Sequence, residues 1–304
     1  MLRLISDNTS VKFIKLKLVS FSISAILSIA SILAVIFIGL NLGIDFKGGI
    51  LLEVRTSSNI SIAKIRNEIS NLNIGEISIQ EFGQDSDYLI RVERQEGSDN
   101  AQQIAVEAIK ASLNKAFSKD IEYRRLEYVG PTVSKDLVKD GVMAIIFAII
   151  AMLAYIWFRF ELPFALGAIV ALVHDITLTM GLFAILGLEF NLATVAAILL
   201  IIGYSMNDTV VVYDRIRENL RKFKKMNLND LLDKSINETL SRTINTTVTT
   251  ILALGALYLF GGQIIADFAF AMLWGIVVGT YSSIFIASTI LVYVNVRRTK
   301  EPES

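Results

Sequence analysis

The stretch GYSMNDTVVVYDRIREN, residues 203 to 219, sets Asp208 inside a run that is otherwise apolar enough to lie in lipid. A carboxylate in hydrocarbon is costly, so such a group normally faces protein or water and points to function. On a helix, Ser205 and Thr209 share its face, with Val212 one turn further on. If the span enters from outside near Leu192, Asp208 lies about 16 residues in, toward the cytoplasmic end. Three roles fit these residues: a proton or ion carrier, a hydrogen-bond partner that locks helices together, or an interfacial acid at the edge of the span.

The rest of the chain decides what kind of protein surrounds this acid. Of its 304 residues 53% are hydrophobic, and they are grouped in long blocks, the signature of a membrane protein. Lys+Arg and Asp+Glu are 29 each, so net charge gives no indication of a nucleic-acid partner, and none is expected. With no cysteine there is neither a disulfide scaffold nor a thiolate metal site, and a single histidine argues against a histidine-rich one.

Residues 18–44 carry no charge until Asp45, and Leu18–Leu40 is long enough to span. Arg3, Lys12, Lys15 and Lys17 precede it as they would in a signal peptide, but the apolar run is too long and lacks an A-x-A-like site, so a retained helix is expected. Further blocks at Val138–Phe158, Pro163–Leu186, Leu192–Tyr213, Ile244–Phe260 and Ala266–Val292 bring the expected spans to six, each near the ~20 residues needed to cross a bilayer. Basic residues concentrate in the N-terminal tail, at Arg159, in 214–242 and after Tyr293, whereas 187–191 and 261–265 have none. That alternation places both termini in the cytoplasm and 41–137 outside. Within 214–242, Leu228, Leu231, Leu232 and Ile236 form a stripe suited to lying along the inner membrane surface.

The outside segment reads as β-α-β-β-α-β: strands at 50–55, 77–82, 88–93 and 121–129, and helices at 62–72, with Ser61 as N-cap, and 101–117. The expected fold is therefore a six-helix polytopic membrane protein with a ferredoxin-like α+β domain between the first two helices. Nothing in that domain has the pattern of a catalytic site, and no enzymatic activity is expected. Its flanks are more telling. LGIDFKGG (42–49) brings Gly43, Asp45, Gly48 and Gly49, and VGPTVS (129–134) brings Gly130 and Pro131 as a hinge candidate. These connectors either transmit movement between membrane and domain or serve as rigid linkers.

Other polar residues interrupt the spans. Arg242 opens the fifth, with Asn245, Thr246 and Thr249 on its face, at a depth that allows pairing with Asp208. His174 and Asp175 lie mid-span in the third and, being adjacent, point about 100° apart, so they are expected on different faces. They either carry protons or hold the third span against the fourth. Glycines at 167, 181, 203, 275 and 279 suggest close helix contacts. With no nucleotide loop in the chain, an ion gradient is the economical energy source. Six spans with one outer domain, and no internal repeat, also look like half of a duplicated layout, the other half coming from a second chain.

LGIDFKGG, VGPTVS, ALVHD, GYSMNDTVVVYDRIREN and SRTINTT together resemble the SecF family, the smaller membrane subunits of the bacterial SecDF accessory complex within the resistance-nodulation-division superfamily. The resemblance implies an inner-membrane location and a periplasmic outer domain. It also implies pairing with SecD and use of the proton motive force to help preproteins through the SecYEG channel. Asp208 and Arg242 then fall on the family's proposed proton path, and His174 and Asp175 on its HD pair. No cofactor or metal is expected beyond the coupling ion, a proton, with sodium left open. The domain plan becomes 1–40 as tail and first helix, 41–137 as periplasmic domain, 138–293 as spans two to six, and 294–304 as a cytoplasmic tail. The alternatives are half of a proton-coupled small-molecule exporter and a non-transporting assembly scaffold.

Overall fold

The computed structural model describes residues 9–56, 60–81, 86–95, 101–117, 121–261, 263–294 and 296. Arg3, the end of the strand expected to reach Phe82, most of the turn that follows it and most of the C-terminal tail lie outside the described residues. A 3-10 turn (Ile14–Leu16) leads into α1 (Lys17–Phe37), followed by β1 (Asn41–Leu42), α2 (Ile44–Lys47), β2 (Gly49–Thr56) and α3 (Ile62–Ser70). Then come β3 (Ile77–Glu81), β4 (Asp87–Val92), α4 (Ala101–Phe117), β5 (Ile121–Val129), α5 (Pro131–Arg159), α6 (Leu162–Leu186) and β6 (Glu189–Phe190). The chain continues with α7 (Leu192–Lys222), α8 (Leu228–Phe260), α9 (Gln263–Ser282), a π-helical turn (Ser283–Ala287) and α10 (Ser288–Ile290). Six of the described helices are long and apolar enough to cross a membrane.

The chain divides into two compact units. One holds Leu42–Met143 and Glu189–Leu192; the other holds the chain up to Asn41, Ala144–Leu188 and everything from Ala193 on. In the first, four antiparallel strands in the order β3-β4-β2-β5 form the sheet. Ile50, Leu52 and Val54 of the central strand are buried with Ile65 and Ile69 of α3 and Val106, Ile109 and Leu113 of α4. The alternation in ILLEVR is weak because β2 is central and buried on both faces, down to Leu51 and Glu53. Tyr88 can be fully buried because its hydroxyl donates to Ile60 O (2.6 Å) and accepts from Ile60 N–H (2.9 Å). Arg55 bridges to Asp87 at 2.5 Å, and Arg125 to Glu127 at 2.7 Å. Ser61 occupies the N-cap position of α3, but its hydroxyl makes no capping bond.

The two connectors differ. Gly48 and Gly49 have φ of +75° and +121°, and a Cβ at Gly49 would come within 2.5 Å of Val92 O, so both need glycine. Gly43 N–H donates to Phe190 O (2.9 Å), Asp45 Oδ2 accepts from the Leu192 N–H (2.9 Å), and Arg91 pairs with Glu189. The first connector is thus fastened to residues 189–192, the turn that runs into α7. That turn is a further link which sequence reasoning passed over as a loop without basic residues. The second connector is shorter than expected. α5 already starts at Pro131, not Val138, a position where proline's missing N–H costs nothing. Gly130 alone separates strand from helix, and a Cβ there would meet nothing within 4 Å.

In the membrane unit two spans lengthen toward each other through 214–242. α7 continues to Lys222 and α8 begins at Leu228, so 214–242 is the extension of two spans rather than a separate surface helix. Leu231, Leu232 and Ile236 are almost fully buried, so the apolar stripe faces protein and not the membrane surface. Part of its cover is the N-terminal segment, where Asn237 bonds both the N–H and the carbonyl of Val11 and Asp233 accepts from Ile14 N–H.

A polar core between the third, fourth and sixth spans

Four of the five glycines singled out in the spans mark close helix approaches. A Cβ at Gly279 would lie 2.9 Å from the Ser205 side chain, one at Gly275 would collide with Ile201, one at Gly181 with Ser31, and one at Gly167 with the Tyr213 hydroxyl. Gly203 does not belong with them: a Cβ there meets nothing within 4 Å. The close approach of α9 to α7, and the burial of α6 with them, brings the polar residues of these spans together.

Asp175 is the centre of that core. It is fully buried, and its carboxylate accepts from Ser205 on α7 (2.6 Å) and Ser282 on α9 (2.8 Å). His174 Nδ1 lies 3.0 Å from its other oxygen. Adjacent residues on a helix were expected to diverge; here both are buried and the imidazole turns onto the neighbouring carboxylate. Thr209 meets Ser283 across the α7–α9 seam at 2.8 Å, and Ser283 also bonds Ser205 O. The π turn begins at Ser283, and the widened ladder beneath it receives the Ser288 hydroxyl on Ser283 O and the Tyr213 hydroxyl on Ala287 O. Such π turns recur where a helix is reshaped for function. His174 Nε2 is buried without a protein partner, next to the Tyr281 ring at 6.1 Å.

Asp208 lies on the same α7 face, 3% exposed, with the Thr280 hydroxyl of α9 at 3.4 Å; that hydroxyl also meets Thr247 of α8 at 3.0 Å. The expected direct pairing with Arg242 is not formed. Arg242 is exposed and has no ion pair with Asp208 within 4.0 Å. Asn245, Thr246 and Thr249 are exposed beside it, and Thr246 and Thr249 bond back to Arg242 O and Asn245 O of their own helix. These residues share one exposed face of α8 that is turned aside from direct contact with Asp208. Helical geometry accounts for this: Thr243 and Thr247 are buried, and Arg242, Asn245, Thr246 and Thr249 centre on a direction about 130° around α8 from them.

Sequence reasoning missed Thr280, Tyr281, Ser282 and Ser283, although four consecutive hydroxyl residues in an apolar span are a visible signal. It also missed Thr247. Thr280 and Ser282 bond Asp208 and Asp175 directly, Thr247 and Ser283 bond the hydroxyls of Thr280 and Thr209, and Tyr281 bonds Ser20 and Ser24 of α1.

Six apolar helices among the described residues, a βαββαβ unit and carboxylates buried among hydroxyls define a multi-pass membrane protein, and comparison with known proteins makes this specific. The family described as "Protein export membrane protein SecD/SecF, C-terminal" matches residues 108–297, and the "SecD/SecF GG Motif" matches 34–60. Among similar curated proteins, the protein translocase subunit SecF of Rickettsia felis is 47% identical over 292 residues, covering 95% of this chain and 94% of its own length. The SecF of Rickettsia rickettsii is 46% identical over 303 residues, covering 99% and 97%. The crystal structure of SecDF, a translocon-associated membrane protein from Thermus thermophilus, superimposes with a TM-score of 0.84 at 32% identity over 95% of this chain. SecDF in its super-membrane-facing form gives 0.70 at 31% over 96%. This chain spans 39% of the length of each SecDF chain. The chain belongs to the SecD/SecF family of protein-export membrane proteins.

Proposed function

We propose that this chain, paired with a SecD-like subunit, uses proton flow through its membrane core to move its outer unit and so assists polypeptides emerging from the SecYEG channel. The observation that carries this reading is the burial of Asp208 on α7 together with Asp175 and His174 on α6 in one hydroxyl-lined core, α7 being the helix that follows the 189–192 turn fastened to the outer connector. Protonation removes charge from such a core and changes which hydroxyls donate and which accept, so it biases helix packing. A potential of 100 mV supplies about 2.3 kcal/mol per charge, a bias of roughly fiftyfold.

Two observations support a partner chain. Arg242, Asn245, Thr246 and Thr249 of α8 and Asn207 of α7 are exposed on helices that cross the bilayer, where bare polar groups facing lipid are expensive. The chain also corresponds to 39% of the SecDF chains. In this reading Arg242 acts across the subunit interface: it supplies positive potential to the path without touching Asp208 and meets an acid of the partner. The domain plan of a periplasmic 41–137 and cytoplasmic termini goes with it. The direct test is preprotein export into vesicles at fixed ATP, with the gradient imposed or collapsed. Asp208→Asn and Arg242→Leu should assemble normally and lose the gradient-dependent gain; full retention by both refutes the reading.

A further inference from the structure

A proton taken up by Asp208 must also leave it on the cytoplasmic side. α7 and α8 extend beyond the spans, and there Asn219 and Arg215 of α7 join Ser235 and Glu238 of α8. Ser235, Thr239, Thr243 and Thr247 recur every fourth residue along α8, and all four are buried, with exposures of 0%, 6%, 2% and 7%. The upper end meets Asp208 through Thr247 Oγ1···Thr280 Oγ1 (3.0 Å) and Thr280 Oγ1 to Asp208 Oδ2 (3.4 Å). The lower end meets Asn219, whose amide donates to both Ser235 Oγ (2.9 Å) and the Glu238 carboxylate (2.8 Å) at the surface. Thus one column of hydroxyls lies between a buried carboxylate and a surface one.

A stripe of threonines alone would be unremarkable in a membrane helix, since their hydroxyls commonly bond back to their own backbone. Thr239 does so, on Ser235 O and Ile236 O, and Ser235 does so on Leu231 O. Thr243 does not: its Oγ1 is buried with no protein partner at all. A buried hydroxyl left unpaired is destabilising, so a purely structural helix has reason to replace it. Four residues rise about 6 Å along a helix, close to twice a 2.8 Å hydrogen bond, so one water fits between successive hydroxyls of the column.

We propose that Thr247, Thr243, Thr239 and Ser235, bridged by single waters, form the inward proton exit from Asp208, with Asn219 and Glu238 at its mouth; this rests on the proton-coupled reading above. The transfer balances without any co-reactant. Each hydroxyl accepts a proton on its oxygen and passes its own hydrogen to the next water. The column ends unchanged in composition and resets when its hydroxyls rotate.

The test uses the assembled complex in vesicles at fixed ATP with an imposed proton gradient. Thr243→Val keeps the β-branch and removes only the hydroxyl; it should lower the gradient-dependent export gain at least fivefold, whereas Thr243→Ser keeps most of it. A packing role predicts the opposite pattern: Thr243→Val would be neutral or would raise the unfolding temperature of the purified chain, with export unchanged. Asp208→Asn separates the two claims. If it abolishes the gain while Thr243→Val retains it in full, the column is refuted and the coupling reading stands. If Asp208→Asn itself retains the gain, both fall.

Discussion

Two buried acids with unequal surroundings should behave differently when removed. Asp175 satisfies Ser205, Ser282 and His174 at 2.6–3.0 Å, so Asp175→Ala leaves several buried polar groups unpaired, each costing about 1–3 kcal/mol. Asp208 holds a single long bond to Thr280. Thermal unfolding of the purified chain should therefore fall markedly for Asp175→Ala and little for Asp208→Ala. Equal losses would mean that Asp208 is as much a structural linchpin as Asp175. The sequence pointed to both acids because a carboxylate in an apolar run needs no neighbours to be conspicuous. Their partners were harder to assign: whether Arg242 turns toward Asp208 depends on the rotation of α8, which a one-residue difference in register alters by about 100°.

Helices supply that rotation, and glycines fix how closely they approach. Gly279 admits Ser205 to the seam and Gly275 admits Ile201, while Gly203 faces open space. In the isolated chain, Gly279→Ala is expected to destabilise by about 1–3 kcal/mol through overpacking. Gly203→Ala, gaining helix propensity of about 1 kcal/mol, is expected to be neutral or stabilising. Unfolding temperatures of the two variants in detergent check this, and a reversal of their order contradicts the packing described. The span boundaries legible from hydropathy were short where α5 begins, at Pro131 instead of Val138, and where α7 and α8 run on into 214–242. Beyond Tyr213 and before Ile244 the residues become charged on one face but stay helical, because Ile216, Leu231, Leu232 and Ile236 remain buried against protein. The π turn left no hydropathy signal, since it changes backbone pairing and not residue polarity.

At the scale of the molecule, the connector 42–49 is joined to the start of α7, the helix that bears Asp208. Asp45→Ala removes the acceptor for the Leu192 N–H, with a cap-like loss of about 1 kcal/mol, and hydrogen exchange at 192–194 should quicken. Unchanged exchange there would show that the tie bears no load. The alternation of strands and helices in 50–129 was readable because each element buries a regular stripe; the tie was not, because it depends on backbone groups and on glycines with no side chain to advertise them.

The absence of native cysteine makes the decisive measurement practicable. Spin labels at exposed Ile104→Cys on the outer unit and Leu259→Cys on the membrane unit report their separation in the assembled complex by pulsed electron resonance. With Asp208 intact, the distance distribution should shift between two populations as the pH is stepped across the titration of the core. With Asp208→Asn it should stay in the population favoured at low pH throughout. If the complex carrying Asp208→Asn shifts as the unmodified one does, charge at this position does not move the outer unit.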